Sequence, residues 1–218
     1  MSCLPKTSPA ATRALVFGTG NRKKAAELAD LLGPRGFEWR TLADFPAPLA
    51  IDEVGQSFAE NAALKATRQA VHLGAWVLGD DSGLVVDALH GAPGIVSARF
   101  AGPNASDAEN RAKLLAELET VEPRRRTAHF VCHLALADPT GTLRAQSAGR
   151  CQGLIRLEPS GSGGFGYDPL FEVIEYHRTF GQLSAAVKTC LSHRARAMHA
   201  MLAQIEALTE AGEWGTRG

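Results

Sequence analysis

The start of the chain passes from a buried-strand signature through a glycine-rich bend into a helix, and few folds accommodate that order. Ala14-Leu15-Val16-Phe17 is a short apolar run of the kind a buried strand shows. Gly18-Thr19-Gly20-Asn21 breaks it. Ala25, Leu28, Leu31 and Leu32 then fall on one helical face, and Gly33-Pro34 stops the helix. Phe37 to Leu42 is a second strand candidate. Early strand–helix units followed by a later hairpin pattern predict an α/β fold with a mixed sheet, in one domain with two lobes.

Further along, Ser57-Phe58-Ala59-Glu60 reads as a capping box that opens a helix to about His72, with Gly74 past its end. Asn61, Lys65, Arg68 and His72 share one polar stripe of that helix. Trp76-Val77-Leu78 predicts a strand, Gly79-Asp80-Asp81-Ser82-Gly83 a turn, and Leu84-Val85-Val86 a resumed strand. Ser106 to Leu118 reads as a helix. Ala128, Phe130, Cys132, Leu134 and Leu136 alternate, as a strand with one buried face does. Asp138-Pro139-Thr140-Gly141 turns it back into Leu143 to Ala148. Ser192 to about Leu208 is the last helix, with Met198, Leu202 and Ile205 as its apolar stripe. Residues 1–13, which lack an apolar h-region, read as a disordered leader, 14–208 as the domain and 209–218 as a polar tail.

Composition narrows the function. Lys and Arg number 23 and Asp and Glu 23, so the 218-residue chain carries no net formal charge. That disfavours a nucleic-acid polymer as partner, which needs a cationic excess, but leaves room for a local cationic pocket. No apolar run approaches a membrane span. Cys3, Cys132, Cys151 and Cys190 form no Cys-x-x-Cys pair and are read as reduced thiols of a cytoplasmic protein. His129 and His133 share a strand face while Cys132 points the other way, which argues against a metal site there. Arg124-Arg125-Arg126 reads as a solvated loop.

Three features carry chemistry. Lys23 and Lys24 open the first helix, and His193 and Arg194 open the last. Cations at helix N-termini oppose the helix dipole, and a bound anion would reverse the sign of that cost. Asp80-Asp81 at a strand end offers one carboxylate to a site and one to the turn. Beside phosphates such acids need a bridging cation, and Mg²⁺ takes one or two carboxylates, with Glu53 or its neighbour Asp52 as a second ligand. The run Gly161-Ser162-Gly163-Gly164-Phe165-Gly166 fits G-x-G-x-x-G but leads into Tyr167-Asp168-Pro169, not a helix, so a dinucleotide fingerprint is rejected. Phe165 either stacks a base or packs in the core. Gly18-x-Gly20 is only a partial dinucleotide match, and no Walker loop or serine nucleophile elbow is present.

Five segments together resemble one family. They are Thr19-Gly20-Asn21-Arg22-Lys23-Lys24; Ser57 to Ala66; Asp80-Asp81-Ser82-Gly83-Leu84 running on to Gly91-Ala92-Pro93-Gly94 and Ser97-Ala98-Arg99-Phe100-Ala101-Gly102; Gly163 to Pro169; and Lys188 with Ser192-His193-Arg194. The chain resembles the non-canonical purine nucleoside triphosphate pyrophosphatases, the inosine/xanthosine triphosphatase family, from about Leu15 to Leu202. The resemblance implies hydrolysis of ITP, dITP and XTP to the monophosphate and pyrophosphate with Mg²⁺, in a homodimer. It implies an elongated mixed sheet with flanking helices and a nucleotide cleft between two lobes. It places Thr19, Gly20, Asn21, Arg22, Lys23 and Lys24 on phosphates and Ser82 at the substrate. Phe165, Gly166, Tyr167, Asp168, Lys188, His193 and Arg194 would hold the nucleotide. Asp81 would be the proton acceptor and metal ligand, and Glu53 the second ligand.

Water attack at the α-phosphorus would expel pyrophosphate as one unit, with Lys23 and Lys24 neutralising the tail. Asp81 would orient and deprotonate the water, and Lys65 would touch the transferring phosphoryl group. His193 and Arg194 are expected to act as cationic donors to a 6-oxo base. A related pyrophosphatase for another modified nucleotide, a nucleotide-binding module without turnover, and a dinucleotide-dependent oxidoreductase are the competing readings.

Overall fold

A computed structural model describes residues 13–214. The expected leader lies outside the described residues, except that Arg13 begins the first strand. Seven strands form one mixed sheet in the order β2-β1-β3-β4-β5-β6-β7. The early units are parallel: β1 (Arg13–Phe17) pairs with β2 (Phe37–Thr41) and β3 (Val77–Val86). The rest is antiparallel, through β4 (Thr127–Ala137), β5 (Leu143–Ile155), β6 (Phe171–Val173) and β7 (Arg178–Thr179).

The period of two along the strands assigns the helices. Leu15, Phe17, Leu78, Leu134 and Leu136 meet Leu28 and Leu32 of α1 (Arg22–Leu32) and Met198, Leu202 and Ile205 of α5 (His193–Glu210). The intervening Val16, Val77, Ala135 and Ala137 meet Ala62, Ala66 and Ala70 of α2 (Phe58–Leu73). So β4 is covered on both faces, not one. A second cluster joins Leu84, Phe130, Phe171 and Phe180 to Leu114 of α3 (Asp107–Glu117) and to Leu118, which caps its end. A short helix α4 (Ala185–Leu191) precedes α5.

Four local expectations change. The segment Gly79 to Gly83 is not a turn: it is the middle of β3, paired with β4 throughout. Its glycines serve close approach, since a Cβ on Gly79 would collide with the Ala62 carbonyl and one on Gly83 with Ser97 Oγ. The capping box at Ser57 is half made. Ser57 Oγ accepts the Glu60 N–H at 3.2 Å, but Glu60 reaches one residue further back, to the Gln56 N–H at 2.8 Å. Arg126 is buried rather than solvated, donating to the Leu118 and Val121 carbonyls that follow α3. The expected polar tail is partly core: α5 runs to Glu210, and buried Trp214 stacks on Trp76 with centroids 4.3 Å apart. Stacking the two indoles, with the Phe37 ring packed at 61° to Trp214, outweighs the polar residues around them.

Candidate active site

The two carboxylates at the centre of β3 face opposite sides of the sheet. Asp80 points toward α1 and α5 and is fully buried. It accepts an ion pair from Lys24 at 2.7 Å, a longer contact from Arg194 Nε at 3.4 Å, and a hydrogen bond from the Cys132 thiol at 3.2 Å. Burial would raise its pKa, but Lys24 and Arg194 outweigh burial and hold the carboxyl well below its ordinary value. Arg194 is itself buried, tied to Glu27 and donating to Ser82 Oγ at 2.8 Å.

Asp81 points toward α2. Lys65 Nζ lies 2.8 Å from its Oδ1, and Asn61 Nδ2 donates to its Oδ2 at 3.3 Å. Lys65 also pairs with Glu53 at 2.6 Å, and Arg99 holds the other Glu53 oxygen at 2.8 Å. Burial pushes Asp81 above its ordinary value, with Lys65 pulling against it. Glu53 moves the other way: burial is overcome by Lys65 and Arg99, which hold it down. Two carboxylates therefore converge on one small cationic centre, and hard oxygen donors in that number suit Mg²⁺. Among the described residues no group of three or more His, Cys, Asp or Glu forms a closed cage. The donor set thus fits an ion that completes its shell with water and phosphate oxygens.

A pocket opens on the Asp80 side, with Leu84, Phe130 and Tyr167 of the second cluster in its lining. Of the expected residues, Asn21, Lys24, Ser82, Phe165, Gly166, Tyr167, Asp168, Lys188, His193 and Arg194 line it. Lys188 bridges Asp168 and Glu27, each at 2.6 Å, and stands 4.8 Å from the centre of the Phe165 ring. Burial raises the Asp168 pKa against the pull of Lys188. Asp168 also accepts the Phe165 N–H at 2.8 Å. Tyr167 donates to the Ser97 carbonyl at 2.8 Å and packs in the core.

The remaining expected residues sit elsewhere. Asp81, Lys65 and Glu53 form the separate cluster on the α2 side. Thr19 is nearly buried and accepts the Asn21 N–H at 3.2 Å. Asn21 caps α1, accepting the Lys23 and Lys24 N–H groups, while Gly20, Arg22 and Lys23 are exposed at the start of that helix. His193 is not a cationic donor. Burial, with Arg194 and Lys188 nearby, drives its pKa well below the ordinary value. Its ring stacks on Phe130 at 4.8 Å, and its buried Nδ1 has no hydrogen-bond partner. Sequence reasoning missed Glu27, whose one signal was an acid a turn after a basic helix start. It also missed Arg99 as the partner of Glu53, although Arg99 lay inside a quoted segment.

Residues 15–204 match the sequence profile of the Ham1 family. A curated relative from Rhodopirellula baltica, a dITP/XTP pyrophosphatase, is 50% identical over 196 residues, covering 90% of this chain and 94% of its own. One of the same description from Desulforamulus reducens is 48% identical, covering 84% and 91%. Among solved structures, a Ham1 protein from Coxiella burnetii superposes with a TM-score of 0.80 at 37% identity, covering 91% of this chain and all of its own. A dITP/XTP pyrophosphatase from Mycobacterium abscessus superposes at 0.70 with 40% identity, covering 88% and 99%. With the fold, the length and the sequence in agreement, the chain belongs to the Ham1 family.

Proposed function

We propose that this protein hydrolyses ITP, dITP and XTP to the nucleoside monophosphate and pyrophosphate. One observation carries the reading: of two adjacent buried carboxylates, each held by a lysine, Asp80 is tied to Lys24 and Arg194, which with Phe165 and Lys188 line a pocket. The relatives described as dITP/XTP pyrophosphatases supply the substrate class. The pocket is read as the cleft between two lobes of one domain. Among the described residues Cys132, Cys151 and Cys190 are free thiols, which supports a reducing, cytoplasmic setting. No described helix is long and apolar enough to cross a membrane. The family resemblance supports a homodimer.

Asp81 is the base. Its raised pKa makes it a better proton acceptor than a solvated aspartate, and Asn61 and Lys65 fix its oxygens. Lys65 keeps its proton: burial would lower its pKa, but Asp81 and Glu53 raise it above the ordinary value. It therefore offers a fixed positive charge to the phosphoryl group. Lys24 holds the triphosphate tail, anchored by Asp80 until the anion arrives. Asp81 and Glu53 would hold Mg²⁺, which when bound neutralises phosphate oxygens and eases deprotonation of water.

Product analysis with ITP, dITP, XTP, ATP and GTP plus Mg²⁺ tests this. Pyrophosphate is expected in step with monophosphate for the first three. Initial release of orthophosphate would mean attack at the γ-phosphorus and overturn the mechanism. Binding without turnover would make the chain a nucleotide-binding module.

A further inference from the structure

Helix α3 gives nothing to the carboxylate pair, yet one of its faces holds two walls of the pocket. Asp107, Asn110 and Arg111 stand three and four residues apart, so they share that face. Asn110 secures the first wall. Its Oδ1 accepts the Ala101 N–H at 2.8 Å, and its Nδ2 donates to the Ala98 carbonyl at 3.1 Å. Asp107 and Arg111 secure the second wall by gripping one glycine. The Gly166 N–H donates to Asp107 Oδ2 at 2.9 Å, and Arg111 Nη1 donates to the Gly166 carbonyl at 2.7 Å.

The grip falls at a sensitive place. Gly166 has φ +59°, and a Cβ there would meet open space, so backbone conformation rather than crowding calls for glycine. Both of its backbone polar groups are engaged by α3. The residue before it is Phe165, whose ring faces Lys188 at 4.8 Å and Lys23 at 5.7 Å. Lys23 also stands 3.6 Å from Asp107, which links the clamp to α1.

We propose that Asp107 and Arg111 are positioning residues that fix the Phe165 ring for the bound base. This rests on the nucleotide reading above. A ring held in place before binding spares the ordering cost that a loose loop would add. Asp81 sits on β3, in a different hydrogen-bond network, so the clamp governs affinity rather than the chemical step.

The test is Arg111→Met, which keeps the apolar stem and removes the donor. The KM for dITP is expected to rise on the order of ten-fold, the effect of losing one charge-assisted hydrogen bond, with kcat within about two-fold. Arg111→Lys, which restores a donor, recovers most of the loss. Amide exchange in the loop 161–169 quickens in Arg111→Met, while that of α5 does not change. An unchanged KM, an unchanged loop exchange, or a fall in kcat at constant KM each overturns the clamp. If the wild-type protein releases no pyrophosphate from dITP with Mg²⁺, the nucleotide reading fails instead. The exchange measurement then still decides whether α3 holds the loop.

Discussion

Asp80 and Asp81 are sequence neighbours with similar burial and opposite electrostatic settings. On the α1 and α5 side, two cations and a thiol surround Asp80, and its charge is held firmly. On the α2 side, Asp81 shares its single lysine with Glu53, so burial wins and its pKa rises. The count of cations per carboxylate, not depth alone, separates the two. An acid with surplus positive charge is an anchor for that charge. An acid with less than its share holds a proton more readily, which suits the base role proposed for Asp81. The alternation of a β-strand lets one chain segment supply both.

The comparison breaks most visibly at Asp81. Asp81→Asn keeps the shape but loses the basic oxygen, and turnover of dITP should fall by roughly 10²–10⁴-fold. Stability at neutral pH should hold or improve, because the charge that burial disfavours is gone. Steady-state kinetics and urea unfolding on the same variant check both halves. Near-normal turnover at saturating Mg²⁺ would remove Asp81 from the chemistry.

Asp80→Asn should do the reverse in stability. It leaves Lys24 short of its partner and buried Arg194 with Glu27 as its one remaining acid. Removing one member of a buried ion pair costs roughly 3–5 kcal/mol. Urea unfolding at neutral pH measures the loss. A variant as stable as wild type would show that Asp80 is no anchor.

Much of this was legible in the sequence, and most of the failures share a cause. The strand–glycine–helix start, the α2 stripe that delivers Asn61 and Lys65, and the residues of the glycine-rich loop were readable from period and motif. The centre of β3 was not, because Gly79-Asp80-Asp81-Ser82-Gly83 has turn composition. The chain there obeys a tertiary demand: the glycines admit the α2 backbone and Ser97, and the acids find cations from distant helices. Trp214 follows the same rule, since Trp76 lies far along the chain. Arg126 differs: it is held by the nearby Leu118 and Val121 carbonyls, and a run of three arginines gives no sign of that. Strands as short as β6 and β7 carry too few residues to show a period. Glu27 looked like any surface acid of a helix until Lys188 and Arg194 met on it.

The pH dependence sharpens the contrast, with a smaller effect. The folded pKa of Asp80 lies below its ordinary 3.8, so its contribution is fully present above that value. It is lost as pH falls below 3.8 toward the depressed folded value. The folded pKa of Asp81 lies above 3.8, so its effect has the opposite sign: stability declines as pH rises from 3.8 through the raised value. Unfolding free energies measured across the acidic range should therefore show a shallower acid loss in Asp80→Asn than in wild type. In Asp81→Asn the decline on the alkaline side of 3.8 should disappear. Parallel profiles for the two variants would mean that the carboxylates share one environment.

The smallest test probes how completely the Asp80 side is built. Cys132 is fully buried, and burial together with Asp80 pushes its thiol well above the ordinary value, so it keeps its proton and donates to Asp80. A thiol is a weak donor, and Lys24 and Arg194 already hold the carboxylate. Cys132→Ala removes the sulfur and its contacts at a cost of about 1 kcal/mol, the usual scale for a small core cavity. Turnover should stay within about two-fold, since no transition-state contact is lost. Cys132→Ser keeps a donor near Asp80 but puts a hydroxyl into an apolar cluster, so its stability should fall close to that of the alanine variant. Urea unfolding and kcat for dITP on the two variants decide the point. A loss of turnover in Cys132→Ala that approaches the loss in Asp81→Asn would show that Asp80 takes part in the chemical step, and the division between anchor and base would fall.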